Sequence, residues 1–476
     1  MNHSQKLLEH FEGLVSRFDV QRRKQRYYFS ELRRWLRYVV PEESRVLELG
    51  CGDGTELMAL KPSQAMGIDF SHGLIQLARA RHPEGQWLVH DISDTLPPMA
   101  QTFEYILAID LVGYLQDFQG AMEQVRRICA PETRLVFTKM NPFWGPFFRL
   151  GSWFGLVEPR RYSNWLSQRQ CRQILELAGF EVIHQDKFCL LPIYIPIVSW
   201  VCNQVLAHLP FLNRLALVEY FICRRAEGRS QVTADSSQPS VTVVIPARNE
   251  KGNVRVALER MPRFPGPLEV IFVEGHSQDG TWEEIQKLSQ EHWPFSVLTY
   301  QQTGRGKGDA VRLGFEKATH DLLMILDADL TVMPEELPRF YQLLADRRAE
   351  YVQGTRLVYP MEGEAMRPLN WIGNKIFSAT LTFLLKQELS DTLCGTKCLW
   401  RDTYKKLVRQ RVYFGDFDPF GDFDLIFGAS KLSLKMAEIP VHYKSRTYGE
   451  TQIHRFRDGF LLLRMCWFAA RKMYFL

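Results

Sequence analysis

The sequence lacks a clean apolar run long enough to cross a membrane. The nearest approach, Leu190 to Leu209, is uncharged for twenty residues, but Pro192, Pro196, Asn203, Gln204 and His208 within it argue for a buried or membrane-grazing helix. The polar start, M-N-H-S-Q-K-L-L-E-H, has no apolar core of signal-peptide type. Nor is there a cysteine framework: the nine cysteines are scattered, and Cys394 and Cys398 have neither zinc-ribbon nor redox spacing. These absences point to a reducing cytoplasm, with any membrane contact peripheral and on the inner face. Strong charge is missing too. The 59 basic residues nearly balance 54 acidic ones, and +5 argues against a nucleic-acid partner. A chain of 476 residues with ordinary globular composition is expected to form two or three domains.

What is present falls on either side of a linker, residues 226–240, A-E-G-R-S-Q-V-T-A-D-S-S-Q-P-S, in which Val232 is the one large hydrophobe. Before it, residues 17–38 read as a basic helix covering the domain, within a helical start over 1–40. Arg45 to Leu49 forms a strand that runs into G-C-G-D-G, where Gly50, Gly52 and Gly54 let backbone turn tightly and approach a ligand. A second strand ends in Asp69, nineteen residues beyond Gly50, where a ribose diol would be held. Two further strands end near Asp91 and Asp110. Acids and glycines at successive strand ends describe a doubly wound sheet with its ligand at the carboxyl edge. The loop departs from G-x-G-x-x-G, which argues against a nicotinamide cofactor. Asp91 and Asp110 also read as ordinary helix caps.

On those residues, V-L-E-L-G-C-G-D-G, G-I-D-F-S and H-D-I-S together, the first half resembles the class I S-adenosylmethionine-dependent methyltransferases. The resemblance implies that Glu48 and the Gly50 to Gly54 loop surround the methionine part of the cofactor, that Asp69 binds the ribose, and that Asp91 and Ile92 contact the adenine. No residue stands out as a base for methyl transfer; Tyr114, Asn141, Trp144 and Tyr162 follow strand ends where an acceptor could sit, or else they pack.

After the linker, V-T-V-V-I-P-A-R-N-E is a buried strand halted by proline, and L-E-V-I-F-V-E-G is a second one ending at Glu274. Asp279 or Thr281 is placed to cap the next helix. The loop Q-T-G-R-G-K-G carries Arg305 and Lys307 toward a diphosphate or an acceptor phosphate, unless it is a basic surface turn. Then L-L-M-I-L-D-A-D-L ends an apolar run in two acids, which strand alternation would put on one face, with Ala328 on the other. So placed, Asp327 and Asp329 hold a hard cation, or one has a raised pKa, or both sit in water.

This order resembles the family 2 glycosyltransferases with the GT-A fold, in the branch containing polyprenyl-phosphate sugar transferases. The resemblance implies that Pro246, Arg248, Glu250, Glu274, Arg305, Lys307 and Asp327 hold a nucleotide-diphosphate sugar, and that Asp327 and Asp329 hold Mg2+ or Mn2+. The family's V-D-D-G-S is V-E-G-H-S here, so Glu274 takes the place of the first acid and Gly275 that of the second. G-D-F-D-L resembles the family's E-D-x-D-L and makes Asp422 the general base, with Asp424 second. R-T-Y-G-E-T makes Arg446 a phosphate ligand. With a phosphate acceptor no base is needed, and those acids would position instead. The expected fold class is therefore α/β with two doubly wound domains, a Rossmann-like methyltransferase at 1–225 and a GT-A domain at 241–453. A basic amphipathic helix at 454–476 suits either a membrane surface or domain packing. The expected function is bifunctional: glycosyl transfer to a glycan or polyprenyl-phosphate acceptor and methyl transfer in the same pathway. The alternative makes the first domain a non-catalytic scaffold.

Overall fold

The computed structural model describes residues 3–473 apart from 100, 116, 155–165, 210, 227–237, 359–367, 388, 415–422, 445, 447 and 449–454. The chain divides near residue 227 into two units, each built on its own seven-stranded mixed sheet.

In the first unit the strands are β1 (Arg45–Leu49), β2 (Gln64–Asp69), β3 (Gln86–Val89), β4 (Tyr105–Ala108), β5 (Arg134–Met140), β6 (Phe180–Phe188) and β7 (Val218–Arg225), in the order β3-β2-β1-β4-β5-β7-β6. The first five are parallel, and β7 runs antiparallel between β5 and β6. Such a sheet must bury both faces, which is why β4 reads as an unbroken apolar run and β5 is buried along its whole length. Tyr105 and Leu107 enter one hydrophobic cluster, Ile106 and Ala108 the other. The strand order reverses between β1 and β4, so the loops after these two strands diverge and leave a crevice at the carboxyl edge.

The segment 190–209 is not one helix. It is irregular to Ile197, then makes one α-turn (Val198–Trp200), a π-turn (Val201–Val205) and a 3-10 turn (Leu206–His208). Among the described residues no helix is long and apolar enough to cross a membrane.

The second unit has β8 (Val241–Ala247), β9 (Leu268–Glu274), β10 (Ser296–Gln301), β11 (Leu322–Ile325), β12 (Tyr351–Thr355), β13 (Lys397–Trp400) and β14 (Met436–Pro440), ordered β10-β9-β8-β11-β13-β12-β14. Strands β8 to β11 are parallel, and β13 runs antiparallel between β11 and β12. The carboxyl ends of β8, β9 and β11 lie side by side, again with the order reversing beside β8. One correction concerns the acidic pair. Strand β11 stops at Ile325, and Asp327 to Leu330 form a turn closed by a 3.2 Å bond from Leu330 N to Asp327 O. Alternation along a strand therefore does not place the two carboxylates. Ala328 inserts into the core and anchors the turn between them.

Candidate active sites

In the first unit the glycine loop after β1 has positive φ at Gly50, Gly52 and Gly54. A Cβ at Gly54 would lie 2.2 Å from the Trp87 ring, so this position combines a left-handed backbone with close approach, and only glycine satisfies both. Asp69, at the end of β2, accepts bonds from Gly52 N and Ser71 N, both at 2.9 Å. Burial raises its pKa and those two N–H groups oppose the rise. Its carboxylate thus braces the loop that it was expected to serve. Glu48 stands at the crevice 2% exposed, and its Oε2 has no hydrogen-bond partner. Burial, and next the charge of Glu56, push its pKa well above the usual carboxylate range. A buried carboxyl without a partner at a switch point fits a ligand that brings a cation. Asp91 accepts from Ser93 N at 2.9 Å, as in an ordinary turn, and Ile92 is buried beside it.

The basic N-terminal stretch does more than cover the domain. It breaks at Gln25 into helices Phe18–Lys24 and Arg26–Val39. Arg22 reaches Asp53 at 3.1 Å and also pairs with Glu56, and Arg33 joins Glu56 at 3.2 Å. Tyr28 donates to Asp110 at 2.5 Å, and Glu12 accepts from Ser71 Oγ (3.0 Å) and Gly73 N (3.1 Å). Reading the sequence missed Asp53, Glu56 and Glu12, because their role depends on arginines and turns far away in the chain. Two acceptor-side candidates are occupied. Asn141 Nδ2 donates to Arg214 O and Ala216 O, and Trp144 Nε1 donates to Leu215 O. Tyr162 lies outside the described residues.

In the second unit Lys307, at the start of the helix Lys307–Lys317, pairs with Asp327 at 2.6 Å, and Arg446 pairs with Asp329 at 2.6 Å. Packing around Asp327 acts to raise its pKa, but Lys307, Lys397 and Arg356 outweigh it and hold the carboxyl below its usual value. Asp329 also accepts from Thr331 N and Oγ1 at 3.1 and 2.9 Å. Both acids are therefore already matched by cations. Glu250 lies 8% exposed with its Oε2 on Asn253 Nδ2 at 2.7 Å. Glu274 accepts from Ser277 N and from Gln301 Nε2 (3.1 Å), while Arg248 and Arg305 stand exposed at the same edge, with Pro246 just before the end of β8. Gln302 was missed. Its side chain is 4% exposed, its Oε1 lacks a partner, and its Nε2 would be 3.2 Å from a Cβ at Gly275. Asp424 is held by Arg312 at 2.6 Å, and Asp422 lies outside the described residues.

The loop before β13 completes the site. A Cβ on Gly395 would lie 2.0 Å from Asp327 Oδ2 and 2.4 Å from Lys307 Nζ. Both obstacles are ends of flexible side chains, so Gly395→Ala is expected to fold normally and to displace the ion pair. Sugar-nucleotide turnover should fall about 100-fold, with the melting temperature shifted by less than roughly 3 °C. Parallel activity and melting measurements check both halves.

Comparison with known proteins identifies the two units. Residues 20–185 match the family model "Methyltransferase domain", and residues 242–408 match "Glycosyl transferase family 2". The chain carries two transferase domains. Glycosyltransferase AglD of Haloferax volcanii is 28% identical over 255 residues, 51% of this chain and 39% of that protein. An undecaprenyl-phosphate 4-deoxy-4-formamido-L-arabinose transferase of Pectobacterium carotovorum is 24% identical over 217 residues, 45% of this chain and 62% of that one. The dolichol-phosphate mannosyltransferase of Saccharomyces cerevisiae is 32% identical over 120 residues, 24% and 44% respectively. The chain thus spans about half the length of these curated relatives. Among solved structures, a Haloferax volcanii putative methyltransferase complexed with the Trm112 activator is 20% identical, covering 46% of this chain and 98% of that one, at a TM-score of 0.37. Magnesium protoporphyrin IX methyltransferase from Synechocystis with bound SAM is 12% identical, covering 48% and 98%, at a TM-score of 0.32.

Proposed function

We propose that the glycosyl transferase domain moves a sugar from a nucleotide diphosphate to a polyprenyl-phosphate or glycan acceptor with inversion, at a cytoplasmic site in peripheral contact with the membrane. The methyltransferase domain would bind S-adenosylmethionine and methylate a product of the same pathway. The observation that carries the first half is the meeting of Asp327, Asp329, Lys307 and Arg446 beside the ends of β8 and β9. Pro246, Arg248, Glu250 and Glu274 would hold the nucleoside, and Gln302 would face the base across Gly275. Arg305 and Lys307 would take the diphosphate and Arg446 an acceptor or leaving phosphate, Lys307 and Arg446 each exchanging a carboxylate partner for a phosphate.

A divalent cation fits this donor set in one way. Among the described residues no three His, Cys, Asp or Glu gather around one point, so Asp327 and Asp329 would hold Mg2+ or Mn2+ with the remaining oxygens coming from the diphosphate. When bound, such an ion offsets the charge that builds on the leaving diphosphate. Asp422 would serve as the base toward a hydroxyl acceptor, and Asp424, tied to Arg312, would position.

In the first domain Glu48 fits the cationic amino-acid end of S-adenosylmethionine, the loop Gly50, Gly52 and Gly54 its backbone approach, Asp69 the ribose, and Asp91 with Ile92 the adenine. The fixed roles of Asn141 and Trp144 favour a second reading, in which this domain binds the cofactor or another ligand without transferring methyl groups. Incubation with a panel of sugar nucleotides, Mn2+, polyprenyl phosphate and S-adenosylmethionine, followed by mass spectrometry of the lipid extract, tests both. A glycosylated lipid supports the first half, and an added methyl group separates enzyme from scaffold. Calorimetry showing no binding of S-adenosylmethionine would sink the cofactor assignment.

Glu250 adds a pH dependence. Burial raises its pKa to about 7, against the bond from Asn253. A carboxyl held above its unfolded value retains its proton in the folded state, so stability falls as pH rises from about 4.5 to about 7 and then levels. The metal-free second domain should lose up to about 3 kcal/mol across that window, and Glu250→Gln should flatten the curve. Urea unfolding at pH 5 and pH 8 in the presence of chelator measures it.

A further inference from the structure

Residues 189–216 of the first unit invert the usual polarity of a protein surface. Three polar side chains of this stretch point inward. Ser199, Asn203 and Gln204 are 1%, 4% and 2% exposed. Ser199 Oγ accepts from Ile195 N and donates to Ile193 O, both at 2.7 Å. Asn203 exchanges two 2.9 Å bonds with the backbone of Leu191, and Gln204 Nε2 donates to Glu31 at 3.3 Å. The apolar neighbours face out: Tyr194 is 64% exposed, Ile197 79% and Phe211 80%. Water selects the opposite arrangement. Ile197 also has φ +65°, costly for a β-branched residue.

A second apolar run adjoins it. The bonds from Asn141 and Trp144 to the backbone of 214–216 pin the start of the helix Gly145–Trp153 against this segment. That helix and the residue after it expose Phe147, Leu150, Trp153 and Phe154. Across 142–154 and 189–216 the charged residues are Arg149 and Arg214, both exposed, and no acid occurs.

We propose that this face is a docking surface for an anionic lipid bilayer. It rests on the peripheral membrane contact proposed above and assigns that contact to named residues. Phe, Trp, Tyr and Ile side chains would enter the interfacial layer while Arg149 and Arg214 meet headgroup phosphates. Part of the irregular backbone is satisfied from the protein side, with Leu191 N on Asn203, Ile195 N on Ser199, and Ser199 N and Val201 N on backbone carbonyls, as a lipid-facing segment favours. A protein partner of this area would need polar groups at the rim, and here the polar groups are buried behind the apolar ones.

The test is flotation of the full chain with vesicles of phosphatidylcholine, with and without phosphatidylglycerol. The parent is expected to float, more strongly with phosphatidylglycerol. Ile197→Ser combined with Trp200→Ser and Phe211→Ser should lower the partition coefficient roughly 100-fold without changing the melting temperature. Arg149→Glu with Arg214→Glu should remove the preference for phosphatidylglycerol. If the triple variant floats like the parent, this surface is wrong and the membrane reading stands. If the parent binds neither vesicle, both are wrong. A lipid-free dimer by light scattering that the triple variant dissolves overturns the proposal in favour of a second copy of the chain.

Discussion

Asp327→Ala is expected to reduce sugar-nucleotide turnover roughly 1000-fold while leaving ligand binding by the methyltransferase domain untouched. The side chain meets Lys307 at 2.6 Å, sits against Gly395, and is held ionised by three cations. Removing it takes away a proposed metal ligand and leaves Lys307 without its carboxylate. Asp327→Asn keeps the shape and loses the charge. It should be nearly as inactive, which separates electrostatics from packing. Turnover assayed with Mn2+ and binding followed by calorimetry give the two readouts. Loss of both activities together would mean that the two domains do not act independently, whereas full glycosyl transfer by the alanine variant would remove this turn from the chemistry.

Asp391→Asn should destabilise the second domain by about 3–5 kcal/mol, the cost of leaving a buried arginine without its counter-charge. Asp391 is fully buried and accepts from Arg356 Nε (2.7 Å) and Nη2 (2.8 Å), Arg356 N (3.0 Å), Asn374 Nδ2 (2.8 Å) and Leu393 N (3.0 Å). Burial opposes its ionisation, yet Arg356 and the other donors hold its pKa at about 2. A carboxyl depressed in the folded state contributes stability above its unfolded pKa and loses it as pH falls. The ion pair should therefore be worth about 2.5 kcal/mol above pH 4 and vanish as pH drops to about 2. Urea titrations of parent and variant at pH 7 and pH 3 should differ by about 1 kcal/mol less at the lower value. Because this carboxylate anchors the loop that carries Gly395 to Asp327, the variant should also lose transferase activity at temperatures where it remains folded.

Much of this was legible along the chain. Buried parallel strands must be apolar on both faces, so each sheet announced itself as short unbroken runs ending in glycine or acid. The positions of the glycine loop, Asp69, Glu274 and the acidic pair at the carboxyl edges followed from that alone. Two segments depart from their sequence pattern for physical reasons. The apolar residues that run straight into Asp327 to Leu330 predict strand there, whereas a local turn with Ala328 in the core sets the carboxylates. The apolar composition of 190–209 predicts a helix, but Pro192 and Pro196 and the inward bonds of Ser199 and Asn203 break it into turns of different pitch.

The sequence by itself determined two α/β domains, because hydrophobic period and turn chemistry are local and survive in a string of letters; their transferase type is implied by the resemblance of their motifs. The tertiary structure decided which charges meet. Lys307 with Asp327, Arg446 with Asp329, Arg312 with Asp424 and Arg22 with Asp53 are pairs whose members lie far apart in the chain. It also decided that Asp69 braces its own loop and that Glu48 Oε2 is buried without a hydrogen-bond partner. Coulomb energy depends on distance and burial, and neither is written in sequence spacing.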